Sequence, residues 1–396
     1  MTTAFQLPFE RPGPLEPAPL LRRLQEQGPI HPIRTAVGDP AWLVTGYDQV
    51  QALLDDNRLG RAHRTPETAS RTGKSALFGG PQGDFDTEQA DHRRMRALLQ
   101  PHFSAGRMRA LRPRVEALTS ALLDELAAQE PPADLHAALA VPLPIAVICE
   151  LLGVPYDDRA QFRTWTQAAA DVTDQARSEQ GLAELFGYGQ RLVARKRREG
   201  RINDGETDVI SRLAMTEGVS DDEAAMMGMF LLFAGHETTV VAIGMGVLWL
   251  LAHPDQWQAL VADPSRIDVA VEEILRAPGL GGGGIPRYAR TGMEIAGVPV
   301  QEGDLVLLDT GAANHDTAAF TDPYRLDIAR RETGHLTFGR GARYCIGAPL
   351  ARLELNVVFS QLVARFPMLR LAVGVAELTF NPQVLTGGLT ALPVSW

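Results

Sequence analysis

Residues 335–352 read HLTFGRGARYCIGAPLAR and hold Cys345, one of only two cysteines in the chain of 396 residues. Gly347 and Pro349 after it indicate the start of a helix, because proline is tolerated in the first helical turn. A thiol at a helix N-terminus is favoured as a thiolate, since the helix dipole and unpaired N–H groups stabilise negative charge. Glycines at positions 339, 341 and 347 allow the backbone to approach a flat partner closely. The stretch therefore predicts an anionic sulfur prepared for a ligand.

The second cysteine, Cys149 in PLPIAVICELLG, has no such surroundings and is predicted to be a buried structural residue. Two alternatives remain open for Cys345. It could also be a structural thiol, or the nucleophile of a hydrolase, although chain order alone assigns no histidine or asparagine to it. Two distant cysteines give no disulfide framework and are typical of a reducing compartment, so we expect a cytoplasmic protein.

Composition limits the function classes. A chain with 45% hydrophobic residues can bury a large core, and we see no clear domain boundary, so one domain over residues 1–396 is expected. The net charge of -10 argues against a nucleic-acid partner. The N-terminal segment MTTAFQLPFERPGPLEPAP has no basic start followed by an apolar stretch, so we expect neither a signal peptide nor a membrane anchor.

Residues 224–253, AAMMGMFLLFAGHETTVVAIGMGVLWLLAH, are apolar enough to span a bilayer. The ionisable His236 and Glu237 at their centre, followed by Thr238, would be costly in lipid. A helix that is apolar all round is instead typical of the middle of a large helical protein. We therefore predict a buried core helix with a polar interruption.

The remaining patterns predict a mainly α fold with small peripheral β-sheets. Apolar residues recur at three- and four-residue spacing through 107–200, as in amphipathic helices. Strand-like alternation returns at 293–312 and near the C-terminus. Residues 61–90 carry few apolar anchors and predict a long loop, which makes them a candidate lid, because long loops in compact domains are commonly functional.

The pattern F-G-x-G-x-[HR]-x-C-x-G, present as FGRGARYCIG (338–347), resembles the haem-binding loop of cytochrome P450 enzymes. Three further signatures follow the order of that family: HRRMR (92–96), AGHET (234–238) and EEILR (272–276). The resemblance therefore spans nearly the whole chain. It implies a single cytochrome P450-like domain that binds haem b, of the soluble bacterial, actinomycete-like type that serves secondary metabolism and antibiotic biosynthesis.

The resemblance implies a haem site around the cysteine loop. Cys345 would be the thiolate ligand of the iron, with Phe338 and Gly347 as the loop positions beside the cofactor. Haem propionates need cations, and by similarity these would be His92, Arg96, Arg287 and Arg343. Most relatives have histidine at the position of Arg343, and arginine keeps the charge.

On the opposite haem face the resemblance implies the machinery for oxygen. Ala234 and Gly235 would leave room for O2, and Glu237 with Thr238 would form the acid–alcohol pair that delivers protons during oxygen activation. A simpler alternative for Thr238 is a hydroxyl that bonds back to the carbonyl four residues earlier and bends the helix. The two roles are compatible.

Two further motifs are interpreted as structural. Glu273 and Arg276 share a helix face and can form a buried charge pair. The resemblance adds a later arginine, for which Arg325 in DPYRLD is the candidate. GLGGGG (279–284) formally matches a dinucleotide fingerprint, but such a fingerprint needs a strand before it and a helix after it. We interpret it as a bare wall of the substrate pocket.

The distal pocket would be lined by the loop at 61–90 and by apolar side chains. These are Met229, Phe230, Phe233, Ile285 and Leu385, the last within the VLTGG turn. Methionine and phenylalanine there are equally expected as plain core. As pocket residues they indicate a bulky, mostly apolar small-molecule substrate that is held by shape.

The implied reaction is reductive activation of O2 and transfer of one oxygen atom, as hydroxylation or epoxidation, to a bulky secondary metabolite. Oxidative coupling or ring closure without oxygen insertion stays an alternative. A non-catalytic haem sensor is a third, against which the intact AGHET argues. Electrons would come from an external ferredoxin and ferredoxin reductase, and a monomer is expected. The predicted docking arginines are Arg93, Arg94, Arg107, Arg109 and Arg340.

Overall fold

The computed structural model describes residues 5–200, 208–381 and 387–396. The helices are α1 (Pro19–Gln27), α2 (Tyr47–Leu54), α3 (Glu88–Leu99), α4 (Ala105–Ala127), α5 (Pro142–Leu152), α6 (Arg159–Ala169), α7 (Gln175–Glu199), α8 (Val209–Met215), α9 (Asp221–Ala252), α10 (Pro254–Ala262), α11 (Ile267–Arg276), α12 (Thr310–Ala313) and α13 (Ala348–Arg365). The strands are β1 (Phe5–Gln6), β2 (Ile30–Arg34), β3 (Pro40–Val44), β4 (Leu59–Gly60), β5 (Ala133–Asp134), β6 (Ile285–Ala289), β7 (Met293–Ile295), β8 (Val298–Val300), β9 (Leu305–Leu308), β10 (Arg370–Leu371) and β11 (Pro393–Ser395).

Helix α9 forms the centre of the core. It begins after Ser220, whose side chain accepts a hydrogen bond from the Glu223 N–H at 3.1 Å. Helices α5, α7, α8, α11 and α13 pack against it. Among the described residues it is the one helix long and apolar enough to cross a membrane, yet 67% of its most apolar 18-residue window is buried inside the protein. The predicted buried core helix is confirmed.

The sheets are small and lie beside the helices. The largest has six strands in the order β1, β2, β3, β9, β6, β4, and smaller sheets join β10, β11 and β5, and β7 with β8. Every residue of β9 is buried, as is typical of an apolar strand run in the middle of a sheet. Strand β4 pairs antiparallel with β6, with Leu59 opposite Ala289 and Gly60 opposite Tyr288.

A buried ion network lies between α11 and the irregular segment that precedes the cysteine loop. Arg276 Nε donates to Glu273 Oε2 at 2.7 Å, and Arg330 Nε donates to the same oxygen at 3.0 Å. The expectation that Arg325 supplies the third charge is wrong. Arg325 is exposed, and its carbonyl accepts a hydrogen bond from Arg330 Nη2 at 3.0 Å, because the segment turns the Arg330 side chain inward.

The glycine stretch at 279–284 connects α11 to β6, so no helix follows it and the rejection of a dinucleotide fingerprint is confirmed. The carboxylate of Asp309 accepts hydrogen bonds from the N–H groups of Gly282 at 2.6 Å and Gly283 at 3.3 Å. Gly284 has φ 125°, a conformation that side chains rarely adopt. The glycines therefore let the loop fold around a buried carboxylate.

Two local predictions are confirmed as well. Cys149 is fully buried, and burial raises the pKa of its thiol to about 12, as expected for a structural residue. The loop predicted at 61–90 is present but ends three residues earlier: residues 61–87 contain no helix or strand, and α3 begins at Glu88. We refer to residues 61–87 as the 61–87 loop.

Candidate active site

The cysteine loop folds by its own hydrogen bonds. The Cys345 N–H donates to the Phe338 carbonyl at 2.8 Å, and α13 begins three residues after the cysteine, with proline in its first turn. Gly339 and Gly341 have φ values of 69° and 65°, so glycine is required at both. Gly347 has an ordinary helical φ of -81°, and a Cβ there would lie at an ordinary contact distance of 3.8 Å from the Cys345 sulfur, so the described protein atoms do not by themselves require glycine at this position.

The Cys345 thiol differs from the sequence expectation in its protonation. The surrounding protein desolvates it and raises its pKa, although the residue stays open on one side. The N–H groups of Gly347 and Ala348 oppose this shift, as do the charges of Arg96 and Arg352. The helix N-terminus alone therefore does not produce a free thiolate. A bound metal ion would, because coordination deprotonates a thiol.

The four cations predicted for the propionates have different partners. Arg343 donates to the carboxylate of Glu88 in a short ion pair. Arg96 Nη1 donates to the Tyr344 carbonyl at 2.7 Å, next to the cysteine. Burial, followed by the charges of Arg343 and Arg96, lowers the pKa of His92 to about 4, so its ring is neutral at neutral pH.

Arg287 is buried, and its guanidinium donates to the carbonyl of neighbouring Pro286 at 2.8 Å. Burial, then the charge of Arg343 and that of Arg61, lowers its pKa to about 9. Sequence analysis did not identify Arg61 or Glu88, because each was one charged residue among many in a loop and at a helix start.

These residues fit a haem. Arg61 and Arg287 have no carboxylate within ion-pair distance in the part of the chain that the structure describes, so the site carries excess positive charge. The same part of the chain has no group of three or more His, Cys, Asp or Glu that could hold a bare metal ion. Haem iron can be held by one thiolate, and the haem carries propionate carboxylates that can pair with these arginines. A haem therefore matches both facts.

Thr238 lies on α9 in an unusual position. It is exposed, although Glu237 and Thr239 on either side are buried, so one side of the core helix is open to solvent at this point. Its hydroxyl donates to the Ala234 carbonyl at 2.7 Å, which is the back-bonding expected of a helical threonine. A Cβ at Gly235 would lie 2.9 Å from Ile148 Cδ1, so this glycine makes room for α5.

Glu237 lines a cavity of about 300 Å³. Burial raises the pKa of its carboxyl, and the charge of Arg163, which also lines the cavity, opposes the shift. His236 Nδ1 lies 3.5 Å from Glu237 Oε1, but burial lowers the pKa of His236 to about 4, so it brings no positive charge at neutral pH. Thr238 does not line this cavity, because adjacent helical residues point about 100° apart.

The predicted pocket residues have different surroundings in the structure. Phe230 and Ile285 are partly exposed, and the Phe233 ring lies 5.7 Å from the ring of Phe78 in the 61–87 loop. Met229 packs on α7, where a Cβ on Gly189 would come within 2.8 Å of it. Leu385 lies outside the described residues.

Arg94 and Arg340, two of the arginines predicted to dock an electron donor, form ion pairs within the described part of the chain. Arg94 Nε lies 2.9 Å from Glu223 Oε1, and Arg340 Nε lies 2.8 Å from Asp55 Oδ2. Exposed ion pairs are weak, so both arginines can exchange partners at an interface.

Comparison with known proteins agrees with this geometry. A family model described as Cytochrome P450 matches residues 172–387. Pentalenolactone synthase from Streptomyces exfoliatus is 42% identical, over 99% of this chain and 99% of that protein. Cytochrome P450 monooxygenase PikC from Streptomyces venezuelae is 41% identical, over 96% of this chain and 91% of PikC. The substrate-free structure of PimD, a polyene macrolide antibiotic pimaricin epoxidase, has 41% identity, a TM-score of 0.88 and 100% coverage of both chains.

The predicted mainly α fold and the family resemblance are thereby confirmed. Enzymes of this family carry haem iron and use O2, small-molecule substrates and redox partners. The cysteine loop at the start of α13, the open face of α9 at Thr238 and the similarity over the whole chain lead to one assignment. The chain belongs to the cytochrome P450 monooxygenase family.

Proposed function

We propose that this enzyme holds haem b through Cys345 and inserts one oxygen atom from O2 into a bulky, mostly apolar secondary metabolite, by hydroxylation or epoxidation. The observation that carries the proposal is an accessible thiol at a helix start, together with Arg61 and Arg287, which have no carboxylate within ion-pair distance among the described residues. When bound, the haem supplies the reductive activation of O2. The protein supplies binding, orientation and protons.

The substrate class is inferred from the pocket and from the named relatives. Phe230 and Ile285 are partly exposed, and Phe233 contacts Phe78 of the 61–87 loop; we take these apolar side chains as part of the proposed substrate pocket. Apolar surface of this kind recognises a ligand mainly by shape. PimD, an epoxidase of the polyene macrolide antibiotic pimaricin, matches this chain over its whole length. These points favour a bulky substrate of antibiotic biosynthesis.

Glu237 and Thr238 are the proposed proton-delivery residues. A raised pKa lets the Glu237 carboxyl keep a proton closer to neutral pH, where it can act as a general acid. Its cavity, shared with the exposed Arg163, connects Glu237 towards solvent. The exposed Thr238 hydroxyl is free to accept a hydrogen bond while it donates to Ala234. The helix turn at 237–238 thus joins a polar cavity to the open side of the core helix.

The remaining proposals concern the domain organisation, the electron donors, the oligomeric state and the cellular location of the protein. We infer one haem-binding domain over residues 1–396, which is supported by the full-length match to PimD. The proposed electron donors are a ferredoxin and its reductase, and the proposed docking residues are Arg93, Arg94, Arg107, Arg109 and Arg340. We propose a cytoplasmic monomer, with the acidic net charge of -10 disfavouring nucleic-acid partners.

The test is product analysis with isotopically heavy O2 and a panel of macrolide and terpenoid substrates. The reconstituted enzyme is expected to give a product that carries one labelled oxygen atom. An oxidised product without the label would instead mean coupling or ring closure. Electron consumption without any product across the panel would contradict the proposed substrate class.

A further inference from the structure

Arg61 lies across a strand pair from Arg287. Strands β4 and β6 are antiparallel, with Leu59 opposite Ala289 and Gly60 opposite Tyr288. Continuing this register by one residue brings Arg61 opposite Arg287. Directly opposed residues of an antiparallel pair project from the same face, and the charge of Arg61 contributes to the lowered pKa of Arg287, so the two guanidinium groups lie close enough to interact.

The Arg61 guanidinium has a neutral hydrogen-bond partner in the described part of the chain. Its backbone N–H donates to Glu88 Oε1 at 2.7 Å, but its guanidinium donates to the neutral side-chain oxygen of Gln82. It also lies over the ring of Phe78, 5.7 Å from the centroid. No described carboxylate lies within ion-pair distance of its side chain.

Glu88 is already shared among other groups. Its Oε1 accepts from Arg343, and its Oε2 lies 3.3 Å from Arg290 Nη1 and accepts from the Ala62 N–H at 3.1 Å. A Cβ at Gly60 would lie 2.6 Å from Oε2, so the carboxylate is held tightly against β4. Glu88 is thus fixed in place and cannot turn to neutralise Arg61.

The positive charges around Arg61 exceed the negative ones by two, so they can pair with two anionic groups. Arg61, Arg287 and Arg343 carry three positive charges against the one negative charge of Glu88, even when Arg290 is left out. Burial, then the charge of Arg343, lowers the pKa of Arg61 to about 10, and Glu88 opposes this shift. Confined like charges are unfavourable unless an anion pairs them. A haem brings two propionates.

We propose that Arg61 binds a haem propionate beside Arg287, and that this contact ties the 61–87 loop to the bound cofactor. The inference rests on the proposed haem site and adds a residue that the cysteine-loop and HRRMR motifs do not identify. Phe78, on which Arg61 stacks, touches Phe233 of α9. Binding of a propionate at Arg61 would therefore fix the base of the 61–87 loop against α9 through Phe78.

The test compares haem release from the holoenzymes of Arg61→Gln, Arg61→Lys and Arg64→Gln. Release to excess apomyoglobin is followed by absorption. Arg61→Gln is expected to lose haem about tenfold faster than the parent, as for one lost charge-assisted hydrogen bond. The rate of haem release from Arg61→Lys should lie between those of the parent and of Arg61→Gln, because lysine keeps the charge but lacks the planar guanidinium.

Arg64→Gln is the matched control. It removes an arginine of the same loop that is 62% exposed and pairs with Glu302 at 3.2 Å, so its haem release should equal that of the parent. The reduction potential is the second readout. Loss of a cation near the haem in Arg61→Gln should make it more negative, which a merely structural change of the loop would not do.

Two results would overturn the proposal. One is a rate of haem release and a reduction potential of Arg61→Gln that equal those of Arg64→Gln. The other is retained haem with weaker binding of carboxylate-bearing ligands only, which would assign Arg61 to a substrate carboxylate. In both cases a thiolate-type spectrum of the parent enzyme would leave the proposed function standing. Absence of that spectrum would remove the proposed function itself.

Discussion

Replacement of Arg330 by alanine is expected to lower the free energy of unfolding by about 3 kcal/mol. Arg330 has 6% of its side chain exposed and Glu273 has 2%, so the charge pair between them is buried. Removal of one partner from a buried pair costs about 3–5 kcal/mol, because the other charge loses its compensation.

The lower end of that range applies because Glu273 keeps a second partner. Arg276 still donates to both carboxylate oxygens, at 2.7 and 2.8 Å, and the Asp327 N–H donates at 3.0 Å. The variant also removes the donors to the carbonyls of Thr321 and Arg325. These carbonyls lie on exposed residues, where water can replace a lost donor.

The assay is urea unfolding of the holoenzyme, followed by circular dichroism and haem absorbance, with coincident transitions as the condition for a free energy. Arg325→Ala is the matched control, and because Arg325 is exposed its change should stay within about 0.5 kcal/mol. Equal losses in the two variants, or a loss below about 1 kcal/mol for Arg330→Ala, would refute the assignment of the network.

Three further outcomes follow from the structure. Thr238→Ala should lower the product formed per electron consumed, measured against Thr238→Ser, and an unchanged ratio would contradict the proton-delivery role. Glu354→Gln should stabilise the protein at neutral pH: both carboxylate oxygens of Glu354 lack a hydrogen-bond partner among the described residues, and burial raises its pKa well above normal. A carboxyl with a raised folded-state pKa contributes stability in acid that is lost as pH rises. The stability gained by Glu354→Gln should therefore vanish below about pH 4, where the carboxyl is protonated in both the folded and the unfolded protein. A gain that does not change with pH in urea titrations would contradict this explanation. Cys149→Ala should cost about 1–2 kcal/mol through its cavity and leave the haem spectrum unchanged, whereas a lost spectrum would make Cys149 a ligand.

Features encoded within a short stretch of chain could be predicted from sequence. The Cys345 loop depends on glycine and proline positions within about two turns of the sulfur, and Gly339 and Gly341 do require their positive φ. Helix α9 was predicted because composition alone distinguishes a core helix interrupted by charge from a membrane span.

Features that depend on distant pairing could not be predicted. Whether Arg325 or Arg330 reaches Glu273 is decided by turns in a segment without periodic structure, so no pattern marks the inward side chain. Arg61 faces Arg287 only through the register of two short strands far apart in the chain. The pKa of the Cys345 thiol depends on desolvation by its surroundings, which helix-dipole reasoning leaves out.

The role of Gly235 shows the same limit at a smaller scale. The family resemblance places it beside the oxygen site, and the structure adds that its missing side chain accommodates Ile148 of α5. Close approach of two helices is a tertiary property, and a glycine inside a helical pattern indicates some close contact without saying which.

The absorption spectrum of the reduced, purified protein with and without carbon monoxide tests the central claim most directly. We expect a Soret band at the strongly red-shifted position of a thiolate-ligated carbonyl, and we expect Cys345→Ser to abolish it while Cys149→Ala keeps it. A band at the position of a histidine-ligated carbonyl, or a protein that binds no haem, would contradict the assignment of Cys345 as the iron ligand.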